Sequence, residues 1–147
     1  MTVQNSSDEN AIRETFDKLA QAIHDKDLEA IRSLYAPDDV FAFDIGPDFK
    51  VIGIENKMKK WAAAFAAFRG ELNYEVRDLT VSIGGEVAFS HSCNRLVATR
   101  PDGTKGGIWV RVTACFRKIG DNWLIAHDHI SVPVDTASSK ALLNLEP

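Results

Sequence analysis

A chain of 147 residues that is 45% hydrophobic and 26% charged is long enough for one domain with a sizeable core. Seventeen Lys and Arg stand against 21 Asp and Glu, a formal charge of −4, and the densest basic cluster is only Lys57, Lys59 and Lys60, so nucleic acid is not an expected partner. A membrane is not expected either, because the longest apolar run, Trp61 to Phe68, falls far short of the ~20 residues that a bilayer span requires.

The polar opening from Met1 to Ser7 lacks the charged and apolar regions of a leader. Ile12, Phe16, Leu19 and Ile23 then recur at four, three and four residues, which places them on one helix face, with Ser6 and Glu9 spaced as a capping box. A short second helix is expected from Asp27, presenting Leu28, Ile31, Leu34 and Tyr35 and stopping at Ala36-Pro37. Val40 to Asp44 reads as a strand closed by Ile45-Gly46-Pro47. After Gly53, the residues Ile54, Met58, Trp61, Phe65 and Phe68 form the apolar stripe of a third helix. Four strands follow, Leu72 to Ile83, Val87 to Thr99, Gly107 to Lys118 and Trp123 to Val132, joined at Gly84-Gly85, Pro101 to Thr104 and Gly120-Asp121, where glycine or Asp-Gly supplies the positive φ of a hairpin turn. Helices first and an antiparallel meander last make an α+β domain over residues 1–147, with helices covering one face of a curved sheet. Cys93 and Cys115, far apart in apolar segments, lack the C-x-x-C spacing of a metal or redox site, so reduced, buried thiols and a cytoplasmic location are expected.

Three of the four histidines fall in the strands. Strict alternation puts Trp123, Ile125, His127, His129 and Ser131 on one face and Leu124, Ala126, Asp128 and Ile130 on the other. Pairing 117 with 123 would set Arg111 opposite His129, Thr113 opposite His127 and Trp109 opposite Ser131. For the preceding strand, a two-residue Asp102-Gly103 turn would set Asn94 against Arg111. A register one residue different brings His91, Cys93 and Arg95 to that face, since a slip by one reverses every side chain. A polar set of this kind implies a pocket or a partner surface, because a buried polar group without partners costs ~1–3 kcal/mol.

The segments Ala88 to Arg95, Trp109 to Thr113 and Phe116 to Pro133, above all His127-x-His129-x-Ser131-x-Pro133, resemble the SnoaL-like, ketosteroid-isomerase-like proteins of the nuclear transport factor 2-like superfamily. The resemblance extends to Asp27 to Tyr35 and to Lys140 to Pro147, and so covers nearly the whole chain. It implies a cone-shaped roll: three N-terminal helices on a strongly curved antiparallel sheet, an apolar cavity for a small apolar or aromatic molecule, and a homodimer formed through the sheet. It also implies chemistry without a cofactor, of the isomerase, cyclase or dehydratase kind. The fold serves non-enzymatic members too, so a non-catalytic ligand-binding or dimerisation module is the alternative.

Within that expectation Asp44 matches in general position an acidic residue that lines the family's cavity. Among Phe41, Phe43 and Ile45 it would suit a general base, its bland role being to cap the turn before Gly46. Arg111, His129 and His127 would stabilise developing charge, the bland role of a mid-sheet Arg111 being a structural ion pair with Asp44, Asp128 or an acid of a partner chain. Trp109, His91, Asn94, Trp61 and Phe65 would bind substrate, and ordinary core packing accounts equally well for the aromatic ones. His127 and His129 also have spacing that suits a metal, but a third ligand would have to come from His91 or Asp44, and no metal site is assigned. His24, near a helix end, reads as solvated surface.

Overall fold

The computed structural model describes residues 3–147, so Met1 and Thr2 of the polar opening lie outside the described residues. Helix α1, Val3–His24, buries Ile12, Phe16, Leu19 and Ile23 as their spacing requires. It begins ahead of Ser6, so Ser6 and Glu9 sit within the helix and form no capping box. The start of α1 is fixed instead by Asp8, whose Oδ1 accepts hydrogen bonds from Trp123 Nε1 and Lys118 Nζ, both at 3.0 Å. Helix α2, Leu28–Arg32, starts at the expected Asp27, whose carboxylate accepts from the Ala30 N–H. Beyond it Leu34 and Ala36 exchange backbone hydrogen bonds with Ile125, which anchors Tyr35 beside the sheet.

Strands β1, Phe41–Phe43, and β2, Val51–Ile52, lead into helix α3, Ile54–Ala67, through Gly53 at φ 87°. Phe68 is the extended residue that ends α3 and is exposed, so it is not part of the apolar stripe. Strands β3, Leu72–Gly84, β4, Val87–Thr99, β5, Lys105–Gly106, β6, Trp109–Ile119, and β7, Asn122–Ser131, complete a sheet of order β2-β1-β7-β6-β4-β3, with β5 paired to β4. Its one departure from the expected antiparallel pattern is β1, which runs parallel to β7 and pairs Phe41 with His127 and Ala42 with Asp128. A small hairpin of β8, Val134–Asp135, and β9, Lys140–Ala141, follows. Helix α1 packs on β3, and the core between them centres on Phe116, Ile12, Ile23, Ile31 and Leu72, all fully buried. Among the described residues no helix is long and apolar enough to cross a membrane.

Three local irregularities decide which side chains enter the concave face. The turn after β4 holds three residues, because the Arg100 N–H bonds the Thr104 carbonyl and Gly103 takes φ 84°, the form in which a tight turn is followed by a left-handed glycine. The register is therefore Cys93 to Arg111 and His91 to Thr113, the slipped alternative of the two. The β6-β7 hairpin pairs Lys118 with Trp123, one residue away from the expected 117 with 123, and a bulge at Ala126 then restores the earlier parity. Trp123 and Ile125 thus point into the core, while His127 and His129 point out of the opposite face with Arg111 and Thr113, opposite Cys115 and Thr113 respectively. Arg111 lies opposite Ser131 rather than His129. In β3 a bulge at Asp78, φ 58°, keeps Tyr74 and Val76 on the concave side along with Leu79 and Val81.

Candidate active site in the concave face

The cross-strand registers set out the floor of the concave face row by row. Asp128, Ala114 and Ser90 lie side by side on β7, β6 and β4; Ile130, Val112 and Ser92 form the next row; Val110, Asn94 and Val76 form the third. The middle strand supplies only Val110, Val112 and Ala114, so polar groups stand on either side of a low apolar strip. Strands are ~4.8 Å apart, which makes the strip one ring system wide. Trp61 and Phe65, four and eight residues after Lys57 on the same face of α3, pack against the core with ring centroids 5.9 Å apart. Both are half-buried, as are Tyr74, Leu96, Val110 and Ile130, so this end of the concave face reaches solvent.

On the β7 side the site is ionic. Lys57, 2% exposed, projects from the apolar face of α3 and donates from Nζ to Asp44 Oδ1 at 2.6 Å and to Asp128 Oδ1 at 3.0 Å. The Tyr35 hydroxyl donates to the other oxygen of Asp128 at 2.8 Å. Burial works against the charge on Lys57, but the two carboxylates outweigh it and hold its pKa above the ordinary lysine value. Burial, reinforced by Asp128, pushes the Tyr35 hydroxyl well up, so it stays neutral. Two carboxylates around one ammonium leave a formal charge of −1 in the cluster. Asp128 has both oxygens engaged, whereas Oδ2 of Asp44, whose side chain is 11% exposed, has no protein partner among the described residues. One of the three ammonium N–H groups of Lys57 is likewise unused by the two ion pairs.

The β4 side is neutral and polar. Asn94, fully buried, donates from Nδ2 to the Tyr74 hydroxyl at 2.7 Å, and its Oδ1 has no partner among the described residues. Ser90 and Ser92, also buried, have unpartnered hydroxyls on the same ridge. Burial pushes the Tyr74 hydroxyl up to about 12. Trp61 Nε1, near Tyr35, is a fourth buried polar atom without a hydrogen-bond partner among the described residues.

Of the residues singled out in the sequence, Asp44, Asn94, Trp61 and Phe65 meet at this face. Arg111, His127, His129, His91 and Trp109 do not, because the alternation of their strands directs them to the other side of the sheet. There Arg111 Nε donates to Ser131 Oγ at 3.2 Å, and the ion pair with Asp44 or Asp128 is not formed. His127 donates from Nδ1 to the Phe41 carbonyl at 2.6 Å, Phe43 packs edge-on against both histidines, and Trp109 lies under the guanidinium groups of Arg77 and Arg95. His91 and Asn94, alternatives in the sequence, are thereby separated: Asn94 faces in and His91 faces out. Cys93 and Cys115 are free thiols on this outer face, half-buried rather than buried. Among the described residues no three His, Cys, Asp or Glu side chains come together to hold a metal. His24, an exposed residue, donates from Nδ1 to the Leu72 carbonyl, 3.1 Å away.

Lys57, Asp128, Tyr35 and Tyr74 are not among the site residues that the sequence singles out, although the first two carry a signal. Lys57 lies three residues after Ile54 and four before Trp61, a lysine on an apolar stripe, and Asp128 shares alternation with Ala126 and Ile130, an acid on an apolar strand face. Two grooves lie away from the ionic cluster. One of about 740 Å³ runs beside Phe41, Val87, Phe89 and Arg117, and one of about 580 Å³ lies beside Phe68, Thr99 and Arg100. Neither is lined by Lys57, Asp44 or Asp128.

Comparison with known proteins agrees with this architecture. The family model described as a SnoaL-like domain matches residues 12–135. An NTF2-like protein of unknown function from Pseudomonas putida KT2440 superposes with a TM-score of 0.86 at 29% identity, over 97% of this chain and 98% of that one. A "putative dehydratase" of the NTF2-like family from Streptomyces avermitilis gives 0.76 at 20% identity over 88% and 99%, and an NTF2-like superfamily protein from Salmonella enterica gives 0.77 at 17% over 94% and 99%. No curated protein matches the chain. With a family model spanning residues 12–135 and a helix-covered curved sheet to match, the chain belongs to the SnoaL-like family of the NTF2-like superfamily.

Proposed function

We propose that the protein binds a small apolar or aromatic carbonyl compound in the concave face and acts on it by proton transfer, without a cofactor, as an isomerase, cyclase or dehydratase. One observation carries this reading: a buried cluster of two carboxylates and one ammonium that leaves a single carboxylate oxygen unengaged, Asp44 Oδ2, at the solvent end of an apolar strip. Asp44 takes the proton from the carbon beside the ligand carbonyl. The electron pair of that C–H bond moves into the enolate, whose oxygen accepts the remaining N–H of Lys57. Asp128, held by Tyr35, positions Lys57 and balances its charge. Arg111 and the outer histidines, on the far side of the sheet, have no part in this step. The dehydratase description of the Streptomyces avermitilis neighbour fits the same half-reaction, since loss of water beside a carbonyl also begins with enolate formation.

A reaction of this class is testable before the substrate is known. Cyclohexanone, 1-indanone and 1-tetralone in D2O exchange their α-protons slowly, and NMR reads the loss of the α-proton signal. The protein should accelerate exchange of at least one of them, and Asp44→Asn should reduce that acceleration by ~10²-fold or more. No acceleration above buffer for all three, or an undiminished rate in Asp44→Asn, rejects the catalytic reading.

A second reading rests on a different observation, the exposure of Val87 and Phe89 on the outer face of the sheet. We propose that this face joins two copies of the chain, in the cytoplasm, where the free thiols of Cys93 and Cys115 stay reduced. In that assembly the protein serves as a ligand-binding or dimerisation module if the exchange test fails.

A further inference from the structure

The polar ridge on β4 has no part in the proton transfer just described. Asn94 Oδ1 is buried, accepts nothing among the described residues, and lies across the apolar strip from Asp44 and Lys57. A buried amide oxygen without a partner has lost the hydrogen bond it makes in water, so a bound group that donates to it recovers that loss. Its neighbour is complementary. The Tyr74 oxygen already accepts from Asn94 Nδ2, which leaves the Tyr74 proton available to donate. One ligand hydroxyl placed between them would donate to Asn94 Oδ1 and accept from Tyr74, satisfying both. Ser92, the next inward residue of the ridge, adds a second unpartnered hydroxyl one row deeper.

We propose that Asn94 and Tyr74 form a hydroxyl-recognition subsite, so that the substrate is a ring ketone carrying a hydroxyl group on the edge opposite its carbonyl. This rests on the reading that a carbonyl compound occupies the concave face, and it specifies the far end of that compound. The width agrees: β4 and β7 lie two strands apart, ~10 Å between backbones, with only valine and alanine on the strand between them. A single or fused ring spans that strip. An alkyl chain would reach it too, but would leave Asn94 Oδ1 unpaired. Sites built around such a polar pair reject the analogue that lacks the hydroxyl far more strongly than an apolar pocket rejects an extra one.

The test compares matched ketones by isothermal titration calorimetry: cyclohexanone with 4-hydroxycyclohexanone, 1-indanone with 5-hydroxy-1-indanone, and 1-tetralone with 6-hydroxy-1-tetralone. The wild-type chain should bind the hydroxylated member of at least one pair tenfold or more tightly. Asn94→Leu should abolish that preference, and so should Tyr74→Phe, which keeps the ring and its packing and serves if Asn94→Leu fails to fold. Asp44→Asn should keep it. Equal affinity within every pair, or a preference that survives in Tyr74→Phe, overturns the subsite. Absence of binding by all six compounds overturns the subsite and the carbonyl-binding reading together. A hydroxyl preference without α-proton exchange upholds the subsite and rejects only the catalysis.

Discussion

Lys57 is the residue on which the concave face depends. A buried ion pair is weak evidence of net stabilisation, because withdrawing both charges from water costs several kcal/mol before they attract one another. Removing one partner is a different matter. With Lys57→Met, a side chain of similar length, Asp44 and Asp128 would face each other across the same apolar space with Tyr35 as the only remaining donor among the described residues. Chemical denaturation should show a loss of roughly 3–5 kcal/mol, the cost of leaving a buried charge uncompensated, and adding Asp128→Asn to Lys57→Met should restore part of it. A loss below ~1 kcal/mol, with no recovery in the double variant, would mean that water already solvates the cluster. The outcome bears on chemistry as well as stability. A cluster that keeps water out strengthens every interaction the ammonium makes with a developing enolate, and one that admits water does not.

At the scale of elements, the helices and strands were legible because their periods are clean. Ile12, Phe16, Leu19 and Ile23 fix α1, Asp27 caps α2, and the glycine turns separate the long strands. What escaped was parity. An extra residue in the turn at Gly103 and another at Ala126 each shift a strand by one, and each such shift exchanges the two faces of the sheet. No local propensity marks Ala126 as a bulge: it is an alanine between an isoleucine and a histidine, and its role is fixed by the tertiary demand that both Trp123 and Asp128 point inward. Five of the nine candidate residues, Arg111, His127, His129, His91 and Trp109, consequently face away from Asp44 and Asn94. Trp123 has its own reason to face in, the hydrogen bond to Asp8 that closes α1 onto the β6-β7 hairpin. That hydrogen bond and the neighbouring Lys118 hold the Asp8 carboxyl below its ordinary value of 3.8. A carboxyl with a depressed folded pKa contributes stability that is complete above its unfolded value and is lost as the pH falls through the folded one. The melting temperature of Asp8→Asn should therefore lie below wild type at pH 6–7, and the gap should close between pH ~4 and the acid limit of folding. A gap that stays constant down to pH 3 would mean that Asp8 acts there through hydrogen bonds that do not depend on its charge and that the amide fails to reproduce.

Across the whole molecule the sheet separates two surfaces of opposite character. The concave face gathers the acids Asp44 and Asp128 around one lysine, while the outer face presents Arg77, Arg95, Arg111, His91 and His129 among aromatic rings. Arg77 and Arg95 lie over the ring of Trp109, with centroid distances of 4.4 and 5.0 Å, and Glu75 pairs with Arg95, so much of that positive charge is already engaged within the chain. What is left unengaged is apolar: Val87 and Phe89, 57% and 51% exposed, beside the groove of about 740 Å³ that Phe41 and Ile83 also line. Two large apolar side chains standing together beside a concave surface are the arrangement that association covers. Burying each fully would contribute ~1.5–3 kcal/mol, and in a two-fold dimer every such contact is made twice. Sedimentation equilibrium at ~50 μM should thus find twice the chain mass, and Phe89→Glu, which puts an acid in each copy of the patch, should return it to the chain mass with an unchanged circular dichroism spectrum. The same variant should keep the α-proton exchange and the hydroxyl preference, since Phe89 lies on the far side of the sheet from Asp44 and Asn94. A wild-type monomer at that concentration would reject the dimer, and loss of exchange on dissociation would show that the partner copy shapes the concave face through the sheet they share.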